Sequence, residues 1–197
     1  MFSSAATRFA LTSILLTAAA IPAQAHVGAG LTSSFSAGFG HPLSGLDHMT
    51  VMVAVGLWAA LKGGKAIWAW PAAFVGVMLI GGGLGIPGLA LPFVEPAILA
   101  SVVALGLLVM LAVDVPVSTG AVVIGLFALF HGHAHGTEIP AGAGASEYAA
   151  GFALSTALLH AAGIAAAFGF GQRFRDLARA GGAACVAIGA GLALGVI

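Results

Sequence analysis

Six stretches of about 20 residues, each nearly free of charge, recur along this chain: 41–61, 66–86, 89–112, 116–135, 147–170 and 177–197. As α-helix, that length crosses the ~30 Å hydrocarbon core of a bilayer. A backbone amide finds no water there, so only helices and closed barrels can span it. The stretches lack the alternation of apolar and polar residues that barrel strands show. The predicted fold is therefore all-α, a polytopic membrane bundle of six transmembrane helices. The breaks between stretches carry charge or turn residues: Lys62-Gly63-Gly64-Lys65, Gly85-Ile86-Pro87-Gly88, Asp114-Val115-Pro116, Ile139-Pro140 and Gln172-Arg173-Phe174-Arg175.

A shorter apolar run comes first. Arg8 is a basic n-region, Phe9 to Ile21 an apolar h-region, and Ala23-Gln24-Ala25 an AxA cleavage site. Residues 1–25 are thus predicted to be a cleavable signal peptide, and 26–197 a six-helix transmembrane domain. Cleavage puts the mature N-terminus outside the bacterial inner membrane, and six crossings return the C-terminus to the same, periplasmic side. Lys62, Lys65, Arg173, Arg175 and Arg179 then all face the cytoplasm, as the positive-inside rule requires.

Composition narrows the function. Six Lys+Arg balance six Asp+Glu, so there is no electrostatic case for a nucleic-acid partner. The single cysteine, Cys185, rules out an intrachain disulfide and paired thiolate metal sites. Neither a Walker-type GxxxxGK[ST] nor GxGxxG is present. The 30 glycines include Gly81-x-x-x-Gly85, Gly132-x-x-x-Gly136 and Gly191-x-x-x-Gly195, spacings that let helices approach closely. Packing within the chain is their first reading and a homo-oligomer seam the second.

On the predicted topology the polar residues converge on the outer face. His41, Asp47 and His48 lie in the outer half of the first helix, and His131, His133, His135 and Glu138 at the outer end of the fourth. His131, His135 and Glu138 are spaced i, i+4, i+7 and share a helix face. Two imidazoles one turn apart can chelate a divalent transition ion. His41 and His48 are about 10 Å apart by helical rise and need a bend near Pro42 and Gly45 to meet at one ion. Asp47 is either a ligand or the acceptor that fixes an imidazole tautomer. Gly45 and Gly132 are expected to let the first and fourth helices close on each other. His133 points off that face, toward water. His160, deeper in the fifth helix, reads as an interhelical hydrogen-bond donor before a ligand. Met49, Met52, Met78 and Met110 read as packing, with Met52 on the His48 face. Glu95 and Glu147 read as solvated, Asp114 as a cytoplasmic helix end, and His26 as the head of a loose tail. Imidazole and carboxylate without thiolate suit Ni, Co, Zn or Cu(II) better than Cu(I).

These residues resemble a known family. His41-Pro42-Leu43-Ser44-Gly45-Leu46-Asp47-His48, with Met52 and Val55-Gly56, is similar to the HPxxGxDHxxxMxxVG signature of the HupE/UreJ family of bacterial nickel/cobalt permeases. Phe130 to Glu138, FHGHAHGTE, resembles that family's FHGxAHGxE motif, in which the position of His133 is variable. The resemblance covers the whole chain. It implies a secondary permease rather than an enzyme, importing Ni²⁺ or Co²⁺ as a transported substrate for hydrogenase or urease maturation, with no permanently bound cofactor. It points to His41, Asp47, His48, His131, His135 and Glu138 as the metal residues. Two rival classes, a membrane-embedded His-box metalloenzyme and a b-type cytochrome, would also use buried histidines. The second would need axial His pairs at matching depth on facing helices.

Overall fold

The computed structural model describes residues 34–140 and 142–197, so the predicted signal peptide and His26 lie outside the described residues. All regular structure among the described residues is helical. Helix α1 (Ser34–Gly40) runs into a 3₁₀ turn at His41–Leu43. It is followed by α2 (Leu46–Lys62), α3 (Ala66–Gly85), α4 (Val94–Met110), α5 (Val117–Thr137), α6 (Ala145–Phe170) and α7 (Phe174–Ala193). Four helices, α3, α5, α6 and α7, are long and apolar enough to cross a membrane. The pair Ser34–Leu43 and Leu46–Lys62 passes the same test together but is bent by 79°, and α4 is an apolar helix of 17 residues. The bend has a local cause. Pro42 supplies no amide donor, and Gly45, at φ −102 and ψ 124, interrupts the helical backbone ahead of Leu46. Ile80, Val122, Leu126, Leu158 and Phe168 stand exposed on the outer faces of α3, α5 and α6, an apolar surface suited to lipid.

Glycine sets the closest crossings. A Cβ on Gly132 would lie 1.9 Å from the Met78 carbonyl oxygen, one on Gly136 2.3 Å from that of Gly82, and one on Gly85 2.4 Å from that of His133. Two of the GxxxG stripes therefore face each other across α3 and α5, backbone on backbone. This corrects one expectation: Gly132 brings α5 against α3, not against α2. Gly45 makes room within its own segment, since a Cβ there would sit 2.7 Å from Asp47 Oδ1. Helices α2 and α6 cross at Gly56 and Gly163, where added Cβ atoms would meet the His160 and Val53 carbonyl oxygens at 2.2 and 2.4 Å. The third stripe makes no such crossing: Gly191 faces Ile197, and Gly195 ends the helix region at φ +64.

One end of the bundle is tied by polar contacts. Indole N–H groups of Trp58 and Trp70 donate to the carbonyls of Val113 (2.9 Å) and Val117 (2.8 Å), with ring centroids 4.3 Å apart. Lys62 pairs with Asp114, and Arg179 Nε donates to the Met110 carbonyl at 2.9 Å. Gly63 and Gly64, at φ +71 and +55, make the α2–α3 turn, a backbone region that glycine enters freely. The described Lys and Arg residues gather at this end. The histidine motifs gather at the other.

Candidate metal centre

The 79° bend does what the spacing of His41 and His48 required. It lays the His41 turn over the start of α2, against the ends of α5 and α6. There His41 lies edge-on to His135, ring centroids 4.7 Å apart, and beside Tyr148 at 6.0 Å. All six residues predicted from sequence join one connected cluster. Asp47 Oδ1 lies 3.1 Å from His48 Nδ1; His48 Nε2 contacts both His131 Nδ1, at 3.0 Å, and His135 Nε2. His135 Nδ1 is 3.3 Å from Glu138 Oε2, which is 3.0 Å from His41 Nε2.

The hydrogen bonds assign the tautomers of His48 and His131. Asp47 Oδ1 is a carboxylate oxygen, so His48 Nδ1–H donates to it and His48 Nε2 keeps its lone pair. The Ser101 hydroxyl donates to the Ile98 carbonyl at 2.6 Å, so its oxygen accepts from His131 Nε2–H at 2.8 Å. His131 Nδ1 is left bare. His135 Nδ1 lies 3.3 Å from Glu138 Oε2 but makes no hydrogen bond, so no neighbour sets the His135 tautomer, and its Nε2 faces His48 Nε2. Two lone pairs, from His48 Nε2 and His131 Nδ1, thus meet at 3.0 Å, and His135 Nε2 adjoins the same His48 nitrogen. Bare nitrogens repel at that range, and a cation among them turns repulsion into ligation. Carboxylate-oriented imidazoles are the usual supports of a metal ligand set.

The cluster has a buried half and an open half. His131 is fully buried, and His48 and His135 are each 6% exposed. The His41 and Glu138 side chains are 31% and 52% exposed. His41, His135 and Glu138 also form a set of three whose ligand atoms lie within 4.8 Å of one another. Contact with His135 first, and with His41 second, holds the Glu138 carboxyl well below the usual carboxylate range, so it is ionised. A cavity of about 280 Å³, lined by His41, Asp47, His48, Glu138 and Glu95 among others, opens onto this half. Glu95, read from sequence as solvated, is exposed at that entrance.

Two expectations fail. His133 does not face water: it is 6% exposed, and its Nε2–H donates to the Leu89 carbonyl at 2.6 Å. The segment between α3 and α4 supplies that carbonyl. His160 is no interhelical donor, since neither ring nitrogen has a partner among the described residues. Sequence reasoning missed Ser101, the one hydroxyl on α4, whose isolation in an apolar helix was the available signal. Nor does the centre suit haem. The rings of His48 and His131 meet at 4.6 Å, and those of His48 and His135 at 4.1 Å, leaving no slot for a porphyrin between them.

Comparison with known proteins agrees with the motifs. The family model described as HupE / UreJ protein matches residues 14–192. Protein HupE of Rhizobium leguminosarum bv. viciae is 50% identical over 182 residues, covering 91% of this chain and 95% of that protein. No solved structure matches the chain.

Proposed function

This chain belongs to the HupE/UreJ family, and on that premise we propose that it is a permease of the bacterial inner membrane that imports Ni²⁺, with Co²⁺ as a second substrate. Six helices cross the bilayer, the bent α1–α2 pair counting as one and α4 as another. Both mature termini are periplasmic, and the lysine–arginine end faces the cytoplasm. The ion enters at His41 and Glu138 from the periplasmic side and passes to His48, His131 and His135.

The observation that carries this reading is the meeting of three imidazole nitrogens, with His131 Nδ1 and His135 Nε2 both against His48 Nε2. Imidazole and carboxylate donors without a thiolate suit Ni²⁺ and Co²⁺. No nucleotide is needed. A divalent ion gains about 4.6 kcal/mol per 100 mV of potential, at ~2.3 kcal/mol per charge, enough for more than about a thousandfold accumulation.

Radiometal uptake by cells expressing the protein tests the reading, with nickel, cobalt, zinc and copper compared at equal free concentration. Nickel accumulation above that of non-expressing cells, with cobalt second, is expected. Failure to accumulate either ion contradicts the proposal.

A further inference from the structure

Among the described residues, one imidazole outside the capture cluster has both ring nitrogens unpaired. His160 is 1% exposed, and both its ring nitrogens lack a hydrogen-bond partner among the described residues. A buried polar group without a partner is costly to keep, so an unpaired imidazole at this depth calls for a use.

Its surroundings suggest one. His160 and Thr156 are spaced i, i+4 on α6, and Phe74 and Met78 are spaced likewise on α3. The Thr156 hydroxyl donates to Met78 Sδ at 3.8 Å, and the Phe74 ring lies edge-on to His160 with centroids 5.1 Å apart. The two contacts therefore form adjacent rungs between the helices, one turn apart. Phe74, fully buried, also touches the capture cluster, its centroid 5.8 Å from that of His131. On α6, His160 lies two turns beyond Phe152, whose ring packs on His135 at 4.3 Å. Imidazoles thus descend from the open rim (His41) through the buried cluster (His48, His131, His135) to His160, and Phe74 is the side chain between the last two steps.

We propose that His160 is a second ligand station for the transported divalent ion, taking it from His131 past the Phe74 ring, with the Met78 thioether and Thr156 hydroxyl as further donor groups one turn away. This rests on the permease reading above. The donor chemistry fits a transit site. Imidazole, thioether and hydroxyl are neutral and of mixed softness, acceptable to Ni²⁺ and Co²⁺. The capture cluster has Asp47 and Glu138 beside its imidazoles, whereas no carboxylate hydrogen-bonds to His160. A weaker inner station lets the ion leave, as conduction through successive sites requires.

The test uses the full-length protein in cells and in purified form. Nickel uptake is normalised to protein in the membrane for wild type, His160→Leu, His160→Ser and His160→Cys. High-affinity nickel binding to each purified variant is measured beside it. Loss of the station should cut uptake by at least about tenfold in the Leu and Ser variants, while high-affinity binding at the capture cluster persists. The Cys variant, of nearly the size of the Ser variant but able to ligate, should carry more nickel than Ser and a larger share of cadmium than wild type. Wild-type uptake by His160→Leu or His160→Ser overturns the proposal. Should the Leu variant fail to insert, the Cys and Ser pair decides: equal loss in both marks a shape requirement and overturns it. A wild-type protein that carries neither nickel nor cobalt removes the permease reading and this station together. Wild-type transport with unaffected variants removes the station alone.

Discussion

The two halves of the histidine cluster use the same side chain in opposite settings. His41 sits on a 3₁₀ turn with its side chain 31% exposed, held by a Glu138 carboxylate that is itself 52% exposed. His131 is fully buried on a transmembrane helix, its Nε2 bonded to Ser101 and its Nδ1 turned to His48. At the rim, water competes for every bond, so ligands there exchange an ion readily and hold it weakly. In the interior, His48 and His131 have their remote nitrogens committed, to Asp47 and Ser101, so their free nitrogens need no reorganisation to ligate. Exposure sets exchange, and burial with a fixed tautomer sets affinity.

That contrast orders the expected effects of substitution, read as nickel uptake against concentration and as equilibrium affinity of purified protein. His48→Ala removes the nitrogen that both His131 and His135 face. It should abolish uptake and weaken affinity beyond the roughly 100-fold upper range for losing an outer-shell partner. Asp47→Asn leaves the ligands in place but loses the charge that orients His48, and should weaken affinity by about 10–100-fold. His41→Ala should have the smallest effect, raising the half-saturating concentration by less than the roughly tenfold lower bound of that range while the maximal rate stays near wild type. A His41→Ala variant more impaired than His48→Ala would reverse the comparison. Equal effects of Asp47→Asn and His48→Ala would make Asp47 a direct ligand instead.

Much of this was legible in the sequence, for identifiable reasons. Apolar length fixed where helices run, because a backbone in hydrocarbon has so few alternatives. The i, i+4, i+7 spacing put His131, His135 and Glu138 together, and Pro42 with Gly45 marked the bend. What stayed hidden depends on neighbours distant in the chain. GxxxG spacing announces close approach but not the partner, so Gly132 was assigned to α2 when Met78 of α3 lies against it. The helix face kept His133 out of the cluster correctly, yet its burial comes from Leu89 in a connection with no periodicity to read. Ser101 looks from sequence like any serine bonded to the carbonyl three residues back, as it is to Ile98. Only the fold brings His131 to its oxygen.

The central claim is that His48, His131 and His135 together hold the captured ion. Nickel K-edge X-ray absorption of the purified protein loaded with one equivalent of Ni²⁺ addresses it most directly. Three imidazole nitrogens at about 2.0–2.1 Å are predicted in the nearest shell, falling to two in His131→Ala. A shell of oxygen donors with at most one imidazole, unchanged by His131→Ala, would contradict it.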